Sequence, residues 1–267
     1  RYGLVPSKQF GQNYLVQRAP IEKMIAAAEL QPDDTVLEIG PGFGVLTLAV
    51  APLVKRVIAF EIERKLAKYW EETGKDYPNV EIVWGDAIRK IKIQKSTFVA
   101  SSGRAKLKTK YKILANLPYQ ITSHALRTLL ELSPSPERIV VMVQAEVADR
   151  ICAKKGSMSL LSVSVQYYGE PKFVAKVSKG NFWPEPRVDS ALVSITNIRE
   201  RPGSEHFFAV VRAGFAHKRK QLWHNLASGL HLAPDQAKTI VRDVTENEKI
   251  RAEELSVAEW EELAENI

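Results

Sequence analysis

The chain has 267 residues, 45% of them hydrophobic, with one cysteine and 38 Lys and Arg against 31 Asp and Glu, a net charge of +7. A single Cys152 excludes an intramolecular disulfide framework, and with no Cys/His cluster at ligand spacing no metal site is expected. The longest apolar stretch, Val45 to Val54, contains Thr47 and Pro52 and falls far short of the ~20 residues that span a bilayer, so no membrane segment is expected.

A reducing, cytoplasmic compartment fits these features, and the length suits one large α/β domain with a smaller appendage. The positive balance favours a polyanionic partner. The first residues, Arg1-Tyr2-Gly3-Leu4, show neither an initiator methionine nor an apolar signal core and constrain targeting weakly.

Taken in chain order, Thr35 to Ile39 is an apolar, β-branched run that predicts the first buried strand. Glu38-Ile39-Gly40-Pro41-Gly42-Phe43-Gly44 closes it and opens a helix over Gly44 to Leu53, so the glycines permit a ligand to approach the backbone. A dinucleotide fingerprint wants its third glycine three residues after the second; here the spacing is shorter, which disfavours nicotinamide.

Arg56 to Phe60 predicts a second strand ending at Glu61, placed to accept hydrogen bonds from two ribose hydroxyls, and Glu63 to Thr73 a second helix. Val80 to Trp84 predicts a third strand, with Asp86 just beyond it in position for an adenine amine. Each acid has an alternative role as a helix cap or a solvated loop residue. Together with the glycine loop they suit S-adenosylmethionine at the carboxyl edge of a parallel sheet.

Residues 87 to 130 contain no acid but carry Arg89, Lys90, Lys92, Lys95, Arg104, Lys106, Lys108, Lys110, Lys112 and Arg127, so basic charge is expected to surround whatever follows. The alternative is a solvated Lys-rich loop around Ser101-Ser102-Gly103. Tyr111 to Ala115 predicts the fourth strand, and Asn116-Leu117-Pro118-Tyr119 follows it directly. In this turn the Asn116 oxygen and the Leu117 or Pro118 carbonyl can converge on one exocyclic NH2 while Tyr119 lies against the base. The same residues would also serve as a plain strand-ending turn with Tyr119 in the core.

A helix over Ser123 to Leu132 and a strand over Ile139 to Val143 continue the alternation. Lys172 to Val177 and Ala191 to Ile198 predict two more strands. Their connection, with Asn181-Phe182-Trp183-Pro184-Glu185-Pro186, is too Pro-rich for a crossover helix, so an antiparallel hairpin at the sheet edge is expected. The expected architecture is therefore a Rossmann-like, mostly parallel sheet of seven strands in residues 1–199, followed by a small all-α domain in residues 200–267.

Pro202-Gly203 marks that boundary. Helices are expected over Phe207 to Gly214, Lys218 to Leu226, Pro234 to Val241 and Ser256 to Glu265, the last opened by a Ser256/Glu259 capping box. His206 to Pro234 holds Arg212, Lys218, Arg219 and Lys220 with no acid, whereas the tail beyond Asp235 is acidic.

These motifs, running from Phe10-Gly11-Gln12-Asn13-Tyr14-Leu15 through the glycine loop, Glu61, Gly85-Asp86-Ala87, Asn116 to Tyr119 and Gln166-Tyr167-Tyr168 to Phe182-x-Pro-x-Pro-x-Val188-Asp189-Ser190, resemble the KsgA-type small-subunit ribosomal RNA adenine dimethyltransferase family nearly end to end. The resemblance implies a class I methyltransferase fold and N6-dimethylation of two adjacent adenosines near the 3′ end of small-subunit ribosomal RNA. It implies action on a pre-ribosomal particle by a monomer. It also implies cofactor contacts from Asn13, Leu15, Gly40, Gly42, Glu61, Asp86 and Asn116, catalysis at Asn116, Leu117, Pro118 and Tyr119, stacking of Phe182 on the base opposite Tyr119, and RNA binding by a helix carrying Lys218, Arg219 and Lys220. The prolines flanking Phe182 argue for its exposure.

The chain departs from the family pattern at Gln120, at Ala145 and at Ser157-Met158-Ser159, all expected beside the pocket, where they bear on substrate geometry and on addition of the second methyl. Competing readings are a large-subunit adenine methylase of the macrolide-resistance type, a DNA adenine methyltransferase, for which Asp-Pro-Pro-Tyr is more usual, and a non-catalytic ribosome-assembly or mitochondrial transcription factor on the same fold.

Overall fold

The computed structural model describes residues 13–93 and 110–267. Arg1 to Leu4, Phe10-Gly11-Gln12, the Ser101-Ser102-Gly103 loop with Lys95, Arg104, Lys106 and Lys108, and the Lys92 side chain lie outside the described residues. The chain divides into two compact units, Arg1–Ala148 with Glu170–Glu200, and Asp149–Gly169 with Arg201–Ile267.

In chain order the first unit holds β1 (Tyr14–Leu15), α1 (Ala19–Ala28), β2 (Thr35–Ile39), α2 (Val45–Val50), β3 (Arg56–Glu61), α3 (Ala67–Thr73), β4 (Val80–Trp84), α4 (Ala87–Ile93), β5 (Tyr111–Asn116), α5 (Thr122–Leu130) and β6 (Arg138–Gln144). After the excursion into the second unit, opened by α6 (Ala145–Ile151) and α7 (Leu160–Tyr168), it resumes with β7 (Glu170–Val177), β8 (Phe182–Trp183) and β9 (Ser190–Thr196). Seven strands form one sheet in the order β4-β3-β2-β5-β6-β9-β7. β2 through β6 are parallel, and β9 runs antiparallel to both β6 and β7, as the Pro-rich connection required.

The central strands are apolar on both faces because helices cover both. Val36, Leu37, Val57, Ile58, Ile113, Leu114, Val140 and Val141 are all buried. β2 pairs with β3 on one side and β5 on the other, Thr35 lying opposite both Arg56 and Tyr111. The chain order therefore reverses at β2, and the carboxyl ends of β2 and β5 frame a crevice there. One feature had no signal in the hydrophobic pattern: β1 and β8, two residues each, pair antiparallel as a separate ribbon, Tyr14 opposite Trp183 and Leu15 opposite Phe182.

At the amino ends of the strands, Lys112 of β5 is buried, with Nζ 2.8 Å from Asp34 and donating to the Glu29 carbonyl at 2.6 Å. Arg138 of β6 bonds Glu29 at 2.7 Å and the Ala27 carbonyl at 2.9 Å, so two cations hold the carbonyl end of α1. The expectation of basic charge around the site is corrected here for three cations. Lys112 is consumed by Asp34, Lys110 pairs with Glu137 at 3.1 Å, and Arg127 with Glu131 at 2.7 Å. The partner acids lie outside the acid-free stretch in sequence, and helix spacing or sheet pairing returns them to it.

The second unit adds α8 (Glu205–Gly214), α9 (Leu222–Leu230), α10 (Pro234–Thr245) and α11 (Val257–Glu265). The Asp149–Gly169 segment belongs with these helices, a grouping that a single boundary at residue 199 does not describe. Its aromatic residues explain why: Tyr167 stacks on Phe207 at 4.0 Å and takes Arg201 over its ring at 4.6 Å, while the Tyr168 hydroxyl lies 3.1 Å from that of Ser204. The Ser256/Glu259 capping box is present, as the sequence indicates.

The helix expected from Lys218 instead starts at Leu222. The buried Asn225 amide donates to the Gly214 carbonyl at 2.6 Å and the His217 carbonyl at 3.0 Å, holding residues 215–221 as a loop. Lys218, Arg219 and Lys220 stand exposed on that loop rather than on a helix.

Candidate active site

A pocket opens at the carboxyl ends of β2, β3 and β5, lined by the glycine loop, by Glu38 and Glu61, by Asn13 to Leu15, by Asn116 to Tyr119, and by Phe182. The loop backbone adopts left-handed values that disfavour side chains, with φ of +72° at Gly40 and +76° at Gly44. A Cβ on Gly40 would meet no atom within 4 Å, so its open face lets a ligand touch the backbone, whereas one on Gly44 would lie 2.7 Å from the Trp70 ring. α3 anchors the loop from behind: Trp70 Nε1 donates to the Gly42 carbonyl at 3.0 Å, and the Tyr69 hydroxyl to that of Phe43 at 2.7 Å.

Glu61, buried at the end of β3, accepts the Gly42 N–H on Oε2 at 2.9 Å and the Glu63 N–H on Oε1 at 2.7 Å. Burial raises its carboxyl above the ordinary value, and those backbone N–H groups act in the opposite direction. The Ile62 backbone acts in the same direction as those N–H groups, and the carboxylate keeps acceptor capacity beyond these bonds. Asp86 is exposed and caps α4 through the Arg89 N–H at 3.1 Å, so the helix-cap alternative is realised; it does not line the pocket.

Asn116 ends β5, and its Nδ2 donates to the Asn13 carbonyl at 3.4 Å. With the amide nitrogen so engaged, Oδ1 is the acceptor offered to a ligand. The Pro118 carbonyl already accepts from Ile121 N–H at 3.1 Å and from the Thr122 hydroxyl at 3.2 Å. Of the two carbonyls the sequence left open, that of Leu117 is therefore better placed to join Asn116. Tyr119 is half-buried, and its hydroxyl lies 2.9 Å from that of the buried Ser190 on β9, which orients the ring; burial raises its pKa.

Phe182 lines the pocket but is only 4% exposed, packed in the core beside Leu15. The expectation of exposure from its prolines is thus corrected, because pairing with β1 turns this ring inward and leaves Trp183 outside. Gln120 is exposed beside Tyr119. The Ala145 N–H binds the Asp189 carbonyl at 3.0 Å. Met158 is buried within the second unit, its N–H on the Glu253 carbonyl at 3.0 Å, and does not line the pocket.

The family model for ribosomal RNA adenine dimethylase matches residues 6–267. The chain belongs to that family. It is 40% identical over 98% of its length to ribosomal RNA small subunit methyltransferase A of Dehalococcoides mccartyi, covering 88% of that protein. It is also 40% identical to the protein of the same name from Lactiplantibacillus plantarum, over 97% of this chain and 89% of that one. Among solved structures, a dimethyladenosine transferase from Plasmodium falciparum superposes with a TM-score of 0.76 at 25% identity, covering 93% of this chain and 95% of that one. The 23S ribosomal RNA methyltransferase ErmE gives 0.72 at 27%, covering 95% and 99%. The expected class I methyltransferase fold is thus borne out.

Within this family site, Tyr14, Glu38, Tyr69, Trp70 and Ser190 contribute beyond the residues that sequence reasoning singled out. Glu38 had a signal: it is the one charged residue in the apolar strand Thr35–Ile39. It is 3% exposed and lines the pocket, and burial pushes its carboxyl up to about 8, the Thr47 hydroxyl offsetting this in part and the Glu61 charge adding to it. The folded protein keeps a proton that the unfolded chain sheds near 4.5, so Glu38 costs stability as pH rises from about 4.5 to about 8 and no further above that. Glu38→Gln should remove this slope. Urea midpoints at pH 5 and pH 8.5 should show the variant gaining on the wild type at the higher pH, and parallel behaviour would refute the buried proton.

Proposed function

We propose that this protein transfers methyl groups from S-adenosylmethionine to N6 of adenosines in small-subunit ribosomal RNA, dimethylating two adjacent adenosines near the 3′ end during ribosome biogenesis. The observation that carries the reading is the Asn116–Asn13 bond, which engages the amide nitrogen and leaves the carboxamide oxygen as the acceptor at the end of β5. Two acceptors and an aromatic ring suit an exocyclic amine on a flat base.

The pocket fits the cofactor: Gly40 has open space beside its backbone, and Glu61 has acceptor capacity for a ribose diol. Asn13, Leu15, Gly40, Gly42 and Glu61 would hold it with Asn116. When bound, it supplies an electrophilic sulfonium methyl.

The adenine N6 lone pair is delocalised into its ring, so the protein's task is to hold the amine where that pair can attack in line. Asn116 Oδ1 and the Leu117 carbonyl accept the two N–H bonds and stabilise the charge that develops on N6. Tyr119 supports the base, with Phe182 as the inner wall of the pocket. Neutral Asn116 is no base, so the proton that N6 gives up on methylation would leave to water. Lys218, Arg219 and Lys220 would contact RNA phosphates from their loop. The protein would act as a cytoplasmic monomer on a pre-ribosomal particle.

The test is incubation with labelled S-adenosylmethionine and, separately, unmethylated small subunits, large subunits and duplex DNA, followed by mass spectrometry of the modified nucleoside. Dimethyladenosine confined to small-subunit RNA is expected. Label in the large subunit, the activity named for ErmE, or in DNA would overturn the substrate assignment, and binding without transfer would overturn catalysis.

A further inference from the structure

Trp183 is 57% exposed, the largest exposed apolar side chain among the described residues, although it sits between two pocket-lining neighbours. Phe182 precedes it, and Tyr14 faces it across the β1–β8 ribbon. Strand alternation turns Phe182 in and Trp183 out, so an indole lies in water beside the pocket. It has company: Val16, Ile62 and Val188 are also exposed apolar residues on segments bordering the site, and the Val16 N–H binds the Asn181 carbonyl at 2.8 Å, two residues before Trp183.

Of the cations between residues 176 and 190, Arg187 is exposed and the two lysines are paired. Lys176 is paired with Asp189 at 2.9 Å and Lys179 with Glu185 at 2.8 Å. Apolar rings and branched side chains beside paired lysines suit the flat face of a base. Bringing a target base into the pocket separates it from its neighbour in the strand and leaves that neighbour's face bare.

We propose that Trp183 stacks on the nucleotide adjacent to the target adenosine, so that the protein selects an unpaired RNA segment rather than a lone base. This rests on the RNA-methylating reading above and adds a substrate-positioning residue that touches RNA outside the amine holder.

The test uses the full chain as wild type, Trp183→Ala and Trp183→Phe. Binding of a short unpaired, adenosine-containing oligoribonucleotide is measured without cofactor, alongside steady-state methylation of unmethylated small subunits and calorimetric affinity for S-adenosylmethionine. Trp183→Ala should weaken oligonucleotide binding and raise the KM for RNA about ten-fold, leaving kcat and cofactor affinity within about two-fold, and Trp183→Phe should restore most of the loss. Unaltered oligonucleotide binding by Trp183→Ala would overturn the inference, as would an equal loss of cofactor affinity, which marks a scaffold role. Trp183-dependent oligonucleotide binding by a wild-type chain that methylates no small subunit would uphold the inference while sinking the proposed reaction.

Discussion

Asn116→Ala should lower the turnover of methyl transfer by about 10²–10³-fold, the range seen when one preorganised polar group facing developing charge is removed. On the proposed reading the carboxamide oxygen and the Leu117 carbonyl would share the amine, and either alone would leave N6 free to rotate away from in-line attack. Cofactor affinity should change far less than turnover, because the proposed contacts of Glu61 and the glycine loop are held by bonds that do not involve Asn116. Asn116→Asp keeps an acceptor but loses the donor to the Asn13 carbonyl, so it should fall between wild type and alanine. Single-turnover rates at saturating cofactor, with calorimetric Kd measured in parallel, separate the two effects. Turnover equal to wild type in the alanine variant would remove Asn116 from the chemistry.

Lys112→Met should destabilise the first unit by about 3–5 kcal/mol, since it strands a buried Asp34 carboxylate and leaves the Glu29 carbonyl without its donor. The effect comes from the uncompensated charge rather than from the worth of the ion pair itself, so adding Asp34→Asn to Lys112→Met should return much of the loss. Urea unfolding of the two single variants and the double variant measures the coupling. Methyl transfer under native conditions should change little, because Lys112 lies at the amino end of β5 and Asn116 at the carboxyl end. A single-variant loss below about 1 kcal/mol would mean that Lys112 reaches water on losing its partner and belongs with surface pairs.

Legibility differed by the range of the interaction. Local chemistry alone determined the alternation of buried strands and helices, the glycine turn after Ile39, the edge hairpin demanded by the prolines, the Ser256 capping box and the acceptor-bearing turn at Asn116. Each depends on residues within a few positions of one another, so periodicity, φ restrictions and capping report it directly.

What joins distant segments was decided by the tertiary structure. Phe182 is inside and Trp183 outside because a two-residue strand 167 positions earlier in the sequence, ending at Leu15, pairs with them. The basic stretch lost Lys112 to Asp34 across neighbouring strands, and Asp149–Gly169 joined the helical unit through Tyr167 and Tyr168. Composition counts charges and rings but not their partners; burial and pairing are set only when sheet order brings segments together, and that order is a property of the whole chain.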